Sequence, residues 1–81
     1  MAMMEMGESE RFDRITFDPA VMGGRACIRG MRITVASIVD RIAQGAGIED
    51  VLAEYPYLER ADVEQALGYA AWLAWEEVVP A

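Results

Sequence analysis

Three arginines lie within the segment GGRACIRGMRIT, residues 23–34, of a chain whose formal net charge is −7. Glycines flank and interrupt this segment, and glycine allows the backbone conformations that a tight bend needs. The guanidinium of arginine is a planar donor that binds carboxylates and phosphates through two parallel hydrogen bonds. The segment therefore predicts a bend that presents cations to acidic groups, with Arg25, Arg29, Gly30 and Arg32 as candidate binding residues.

Two interpretations of these arginines stay open from the residues alone. In the first, Arg29 and Arg32 pair with carboxylates of this chain, for which Asp18 is a candidate, and hold the N-terminal strands against the helices. In the second, they face outward and bind the phosphates or acidic residues of a partner. Residues 11–41 carry six arginines against three aspartates, whereas the rest of the chain is acidic, so Arg41 joins the candidate surface.

The chain lacks the side chains that catalysis needs. It contains no histidine and no lysine, and of its two serines Ser9 lies in the tail and Ser37 within the first helix, so we expect no nucleophile–base pair. Cys27 is the only cysteine, so it can form neither an internal disulfide nor a metal site, and we expect a small buried residue on a strand. We therefore predict a protein that is not an enzyme, with no catalytic residue, no metal and no cofactor.

The apolar pattern of the N-terminal half predicts short strands within residues 14–34. Ile15 is followed by polar Thr16, and Pro19 ends the first strand. Between Ala26 and Ile33 the alternation changes register at Gly30. This change predicts either a two-residue turn at Arg29–Gly30 or a β-bulge at the same place.

Apolar spacing and capping residues predict three helices after the strands. Thr34 is the candidate N-cap of the first helix, and Gly45 is its natural terminator. Pro56 ends the second helix, and Asp62 lies in the first turn of the third. The predicted fold class is mainly α: a three-helix bundle of the helix-turn-helix type with a short N-terminal β-hairpin. We place a flexible tail at 1–13 and one domain at 14–79, with helices at about 35–44, 48–54 and 60–77.

The C-terminal half of the third helix is apolar on every side, which is more apolar surface than a small bundle can cover by itself. This surface predicts an interface with a partner or with a second copy of the chain, and a homodimer or larger assembly is expected. Intramolecular packing of both tryptophans is the alternative. The interface candidates are Trp72, Leu73, Trp75 and Val78.

Residues 15–70 contain a recognisable set of positions: Ile15, Asp18, Pro19, Gly24, Ile28, Arg29, Gly30, Arg32, Ile33, Gly45, Tyr55, Pro56, Leu58 and Asp62. In this pattern the chain resembles the small bacterial and archaeal domain-of-unknown-function-433 family, described as VapB-like antitoxins. The sequence departs from the family pattern at Arg25-Ala26, where Lys-Pro is usual, and at Met31 and Glu59, where threonine is usual. The resemblance implies a homeodomain-like fold, genetic pairing with a PIN-like nuclease, and the role of an antitoxin.

We therefore expect a cytoplasmic antitoxin-type protein that binds and inhibits a cognate PIN-like ribonuclease toxin, with autoregulatory binding of operator DNA as a second activity. DNA would contact the arginines rather than the third helix, because that helix begins with Glu59, Asp62 and Glu64, which would face phosphates. A DNA-binding transcriptional regulator without a toxin, and a homo-oligomeric structural module, are the alternatives. No membrane association is expected, because no apolar run approaches the roughly 20 residues that cross a bilayer.

Overall fold

The computed structural model describes residues 12–76. Two short strands precede three helices, and the three helices pack into a bundle beside the strands. The chain is thus mainly helical with an N-terminal antiparallel β-hairpin, which confirms the predicted fold class. The elements are β1 (Ile15–Thr16), β2 (Cys27–Ile28), α1 (Val35–Ala43), α2 (Ile48–Glu54) and α3 (Arg60–Glu76).

The strand pair is followed by a tight turn. β1 and β2 are antiparallel, with Ile15 opposite Ile28. Directly after β2 the Met31 N–H donates to the Ile28 carbonyl at 2.8 Å, and the two residues between them, Arg29 and Gly30, have φ of 45° and 74°. Positive φ at both central positions is the signature of the type I′ turn. The structure therefore has the two-residue turn rather than the bulge.

Local capping explains where the helices begin and end. The Thr34 hydroxyl accepts the Ser37 N–H at 3.0 Å and begins α1, and Gly45 follows that helix with a φ of 107°. The Asp50 carboxylate accepts the Gly47 N–H at 2.8 Å at the start of α2. Tyr55 leaves the helical region, with φ at −121°, because the residue before a proline is sterically excluded from it.

The core lies where the hairpin meets the three helices. Its four largest fully buried apolar side chains come one each from β2, α1, α2 and α3: Ile28, Ile38, Val51 and Val63. α1 makes its most extensive contacts with α3. Cys27 is a buried free cysteine on β2, as the sequence predicts.

The folded domain extends further toward the N-terminus than residue 14. Phe12 is only 7% exposed, and its ring lies edge-on to Tyr69, with centroids 5.4 Å apart. The Asp13 carboxylate accepts the side-chain amide of Gln65 at 2.8 Å. Two residues that the sequence pattern assigns to the tail therefore belong to the packed domain. The rest of the predicted tail, and the interface candidate Val78, lie outside the described residues.

Candidate functional site

A buried carboxylate occupies the first turn of α3. Asp62 is at the third position of the helix, and its side chain is completely buried. Its Oδ2 atom accepts the backbone N–H of Glu59 at 2.8 Å, which satisfies one of the amide groups left open at a helix start. This half of a capping box is a local reason for an aspartate here. It leaves Oδ1 and part of Oδ2 available for donors from elsewhere in the chain.

Arg29 binds this carboxylate in the two-pronged geometry that guanidinium groups favour. Its Nε donates to Oδ1 of Asp62 at 3.0 Å, and its Nη2 donates to Oδ2 at 2.8 Å. The same Nη2 also donates to the Tyr57 carbonyl at 3.2 Å. Because Arg29 is the first central residue of the type I′ turn, these bonds attach the turn directly to the start of α3.

Arg14, just before β1, approaches Asp62 as a second cation. Its Nη1 donates to Oδ1 of Asp62 at 2.9 Å and to Oε1 of Glu59 at 2.8 Å. The backbone N–H of Arg14 donates to the Gln65 side-chain carbonyl at 3.0 Å. We call the four residues Arg14, Arg29, Glu59 and Asp62 the Asp62 clamp. Among residues 12–76, no buried side-chain nitrogen or oxygen lacks a hydrogen-bond partner.

The electrostatics of the clamp favour the ionised carboxylate. Burial by itself raises the pKa of Asp62, but the hydrogen bonds from Arg29, the Glu59 amide and Arg14 outweigh burial and lower the pKa to about 2. The pKa of Arg29 is raised by its hydrogen bonds to Asp62, and that of Arg14 by those to Glu59 and Asp62. All three charges therefore persist at neutral pH, and the clamp is a permanent ionic link between the hairpin and α3.

The other predicted binding arginines divide into two kinds. Arg41 is paired, because its Nε donates to Oε1 of Glu54 at 2.7 Å. Arg25 and Arg32 are exposed, and neither has a carboxylate within 4.0 Å among the described residues. Asp18, the candidate partner in the sequence, instead accepts the Ala20 N–H at 2.9 Å.

A shallow hollow lies beside the type I′ turn. It has a volume of about 490 Å³ and is lined by Gly30, Met31, Arg32, Ile33 and Tyr57. The Gly30 N–H donates to the Thr16 hydroxyl at 2.8 Å, so the turn is attached to β1 as well as to α3. Tyr57 is 74% exposed, and within residues 12–76 the side chain of Arg32 has a single polar contact, 4.0 Å from Nη1 to the Met22 sulfur. The hollow therefore combines a firmly held backbone with a cation and an aromatic ring that are open to a ligand.

The fold places the interface candidates of α3 in two different environments. Trp72 stacks on Tyr69 at 6.0 Å and is tilted against Phe12 at 6.1 Å, so it belongs to the domain's own aromatic cluster. Trp75 is 76% exposed and Leu73 39% exposed. The described part of α3 therefore leaves Trp75 and Leu73 exposed, whereas Trp72 packs within the domain.

The sequence pattern misses Arg14, Tyr57, Glu59 and Asp62 as site residues. For Asp62 the sequence does contain a signal. An acidic residue at the third position of a helix can accept the backbone N–H of the N-cap residue. Nothing in the residues around Arg14 links it to a position 48 residues later.

Across residues 12–76 no cluster of three or more metal-binding side chains is present, and no helix in that stretch is both long and apolar enough to cross a bilayer.

Fold and site together define a small helical-bundle protein whose N-terminal hairpin is ionically attached to its third helix. The chain belongs to the family described as protein of unknown function (DUF433), whose family model matches residues 15–70. It resembles the crystal structure of a DUF433 member protein from Anabaena variabilis, with a TM-score of 0.72 and 36% identity, covering 78% of this chain and 62% of that one.

A curated relative is the uncharacterized protein y4eO of Sinorhizobium fredii. It is 31% identical over 71 residues, which cover 79% of this chain and 32% of the relative. The chain thus spans about a third of the length of that relative.

Proposed function

We propose that this protein is an antitoxin-type interaction protein that binds and inhibits a cognate PIN-like ribonuclease. The observation that supports this proposal best is that the side chain of Arg32 is available for binding. Its side chain is exposed, and no carboxylate of the described residues neutralises it. It follows a turn that the Asp62 clamp holds in place.

A nuclease of this class gathers carboxylates to hold Mg²⁺, and a guanidinium placed among them would compete with the metal. The side chain of Arg32 suits that role because its backbone is already ordered. A contact presented by a preorganised turn loses less conformational entropy on binding than one presented by a flexible loop. The clamp would therefore contribute to affinity without touching the nuclease.

Trp75 supplies an apolar anchor for the same partner. Large aromatic side chains dominate the binding energy of many protein interfaces, and an indole that is 76% exposed has most of its apolar surface still to bury. Arg32 and Trp75 therefore represent two kinds of contact, one ionic and one apolar, and each can be removed separately.

Operator DNA, the second expected partner, finds less support. Of the four arginines assigned to it, Arg29 and Arg41 are already paired with carboxylates. The exposed acids Glu59 and Glu64 lie at the start of α3, the helix that would enter a groove. Of these four, Arg25 and Arg32 are left to neutralise phosphates, which predicts weak binding with a shallow dependence on salt, because the slope scales with the number of phosphates neutralised.

Co-expression tests the proposal. The full chain is produced with each PIN-like nuclease encoded in the same genome, and complex formation and ribonuclease activity are measured. We expect a stable complex with suppressed activity. Arg32→Ala should abolish most of the inhibition while changing the free energy of unfolding by less than about 0.5 kcal/mol.

Arg60→Ala is the matched control, because Arg60 is an exposed arginine that pairs with Glu49 and Glu64 of its own chain. This variant should inhibit like the wild type. Full inhibition by Arg32→Ala would contradict the ionic mechanism. A nuclease that neither binds nor is inhibited by the wild-type protein would remove the antitoxin function itself.

A further inference from the structure

An apolar groove with a volume of about 520 Å³ runs between α1 and α3, and Arg32 is not among its lining residues. Its walls are formed mainly by aliphatic side chains of the two helices, including Val35, Ala36, Val39, Ala43, Ala70 and Leu73. Leu73 is 39% exposed there, although most leucines in folded domains are covered. The groove therefore presents apolar surface whose burial would favour association.

Two opposite charges lie at this groove, and neither is neutralised within the described residues. Arg25 lines the groove and is exposed, with no carboxylate within 4.0 Å among residues 12–76. Asp40 lines it as well; its Oδ2 accepts the side-chain amide of Gln44 at 2.7 Å, but no arginine of that stretch pairs with it. Every other described arginine apart from Arg32 is already in an ion pair.

We propose that this groove is the interface with a second copy of the chain, in which Arg25 of each protomer pairs with Asp40 of the partner subunit. A two-fold interface brings one surface patch against the same patch of the other copy, so residue i meets residue j twice. A patch with one unneutralised cation and one unneutralised anion is complementary to itself under that symmetry. This inference does not depend on the antitoxin function.

The charges favour this occupant over the other candidates. An acidic nuclease cleft or a DNA backbone would gain from Arg25 but would be repelled by Asp40, whereas a second copy satisfies both groups. Burial of the aliphatic walls would supply most of the affinity, and the two ion pairs would set the relative orientation of the copies. A domain of this size covers a limited fraction of its surface on its own, so pairing also protects apolar area.

Charge reversal provides a test with an internal check. Sedimentation equilibrium on the full chain should show a wild-type dimer at micromolar concentration. Arg25→Glu places two carboxylates against each other at both contacts, and Asp40→Arg does the same with two guanidinium groups. Each variant alone should raise the dimer dissociation constant by about tenfold or more.

Mixing the two charge-reversal variants gives the decisive measurement. In the mixed dimer Glu at position 25 faces Arg at position 40, and the unchanged Arg25 faces the unchanged Asp40, so both contacts become attractive again. The mixture should therefore form a heterodimer at concentrations where neither variant forms a homodimer. An ion pair within one chain would not give this result, because mixing leaves each chain's internal contacts as they were. Added salt should weaken the rescue.

Matched controls are available outside the groove. Arg32→Glu reverses an exposed arginine outside the groove, and Asp13→Arg reverses an aspartate whose carboxylate also accepts a glutamine amide. Both should dimerise like the wild type, and circular dichroism checks that every variant is folded. A monomeric wild type, an equal loss in the two controls, or a mixture that stays monomeric would each overturn the proposal.

Discussion

Arg29 and Asp62 are 33 positions apart in the chain, yet two parallel hydrogen bonds of 3.0 and 2.8 Å join the guanidinium of one to the carboxylate of the other. The carboxylate is fully buried, whereas the arginine side chain is 38% exposed. Removing one partner of a buried ion pair leaves an uncompensated charge or unpaired donors, which costs much more than losing a surface pair.

Asp62→Ala should lower the free energy of unfolding by about 2–4 kcal/mol, because it removes both the helix cap and the carboxylate that holds Arg14 and Arg29. Urea unfolding measures the change. The slope against urea should stay unchanged if the variant still unfolds as one unit. Glu64→Ala is the control: Glu64 is exposed on the same helix and forms a 3.3 Å surface pair with Arg60, so its loss should cost less than about 0.5 kcal/mol. Equal effects of the two substitutions would contradict a structural clamp.

The clamp should also make the free energy of unfolding depend on pH. The pKa of Asp62 is about 2 in the folded protein, below its ordinary value of 3.8, so the folded state binds a proton less readily than the unfolded state. Its contribution of about 2 kcal/mol is present above pH 4 and is lost as the pH falls from 4 toward 2.

Urea unfolding of the wild type and of Asp62→Asn at several pH values isolates this contribution from that of the other carboxylates. The stability advantage of the wild type should shrink steadily between pH 4 and pH 2. A gap that stays constant over this range would show that Asp62 titrates alike in the folded and unfolded protein.

The two tryptophans of α3 should respond differently to truncation. Trp72→Ala removes a ring that stacks on Tyr69 and should lower the free energy of unfolding by about 2 kcal/mol. Trp75→Ala removes a ring that is 76% exposed and should change it by less than about 0.5 kcal/mol. Chemical unfolding at low protein concentration measures both. A large loss in Trp75→Ala under these conditions would mean that its ring packs within the domain.

Two glycine substitutions should change the stability of the fold in opposite directions. Gly30 has a φ of 74° with no atom within 4 Å of an added Cβ, so Gly30→Ala should destabilise by about 1 kcal/mol through backbone strain alone. Gly68 lies within α3, where an added Cβ would make an ordinary 3.5 Å contact with Phe12. Gly68→Ala should therefore stabilise by up to about 1 kcal/mol, since alanine is the better helix former. Thermal melts should show a lower melting temperature for Gly30→Ala and a higher one for Gly68→Ala than for the wild type. A shift in the same direction for both variants would refute the explanation from backbone conformation.

The sequence by itself determined the three helices and their order, because their signals are local. A cap such as Thr34, a terminator such as Gly45 and a proline such as Pro56 act on residues within one turn of themselves, so their effect can be predicted without knowledge of the fold. The bend at Arg29–Gly30 was also local, although the pattern could not distinguish a turn from a bulge. Positive φ at both residues resolved that choice.

Only the tertiary structure decided which carboxylate Arg29 would bind. Asp18 is closer along the chain and accepts the nearby Ala20 amide, whereas Asp62 is brought to Arg29 by the packing of the hairpin on α3. The same packing separates the exposed Arg32 from the clamped Arg29, although both lie in one short segment. Ion pairing across the fold depends on which elements meet, and that depends on how the whole core packs rather than on the residues next to each charge.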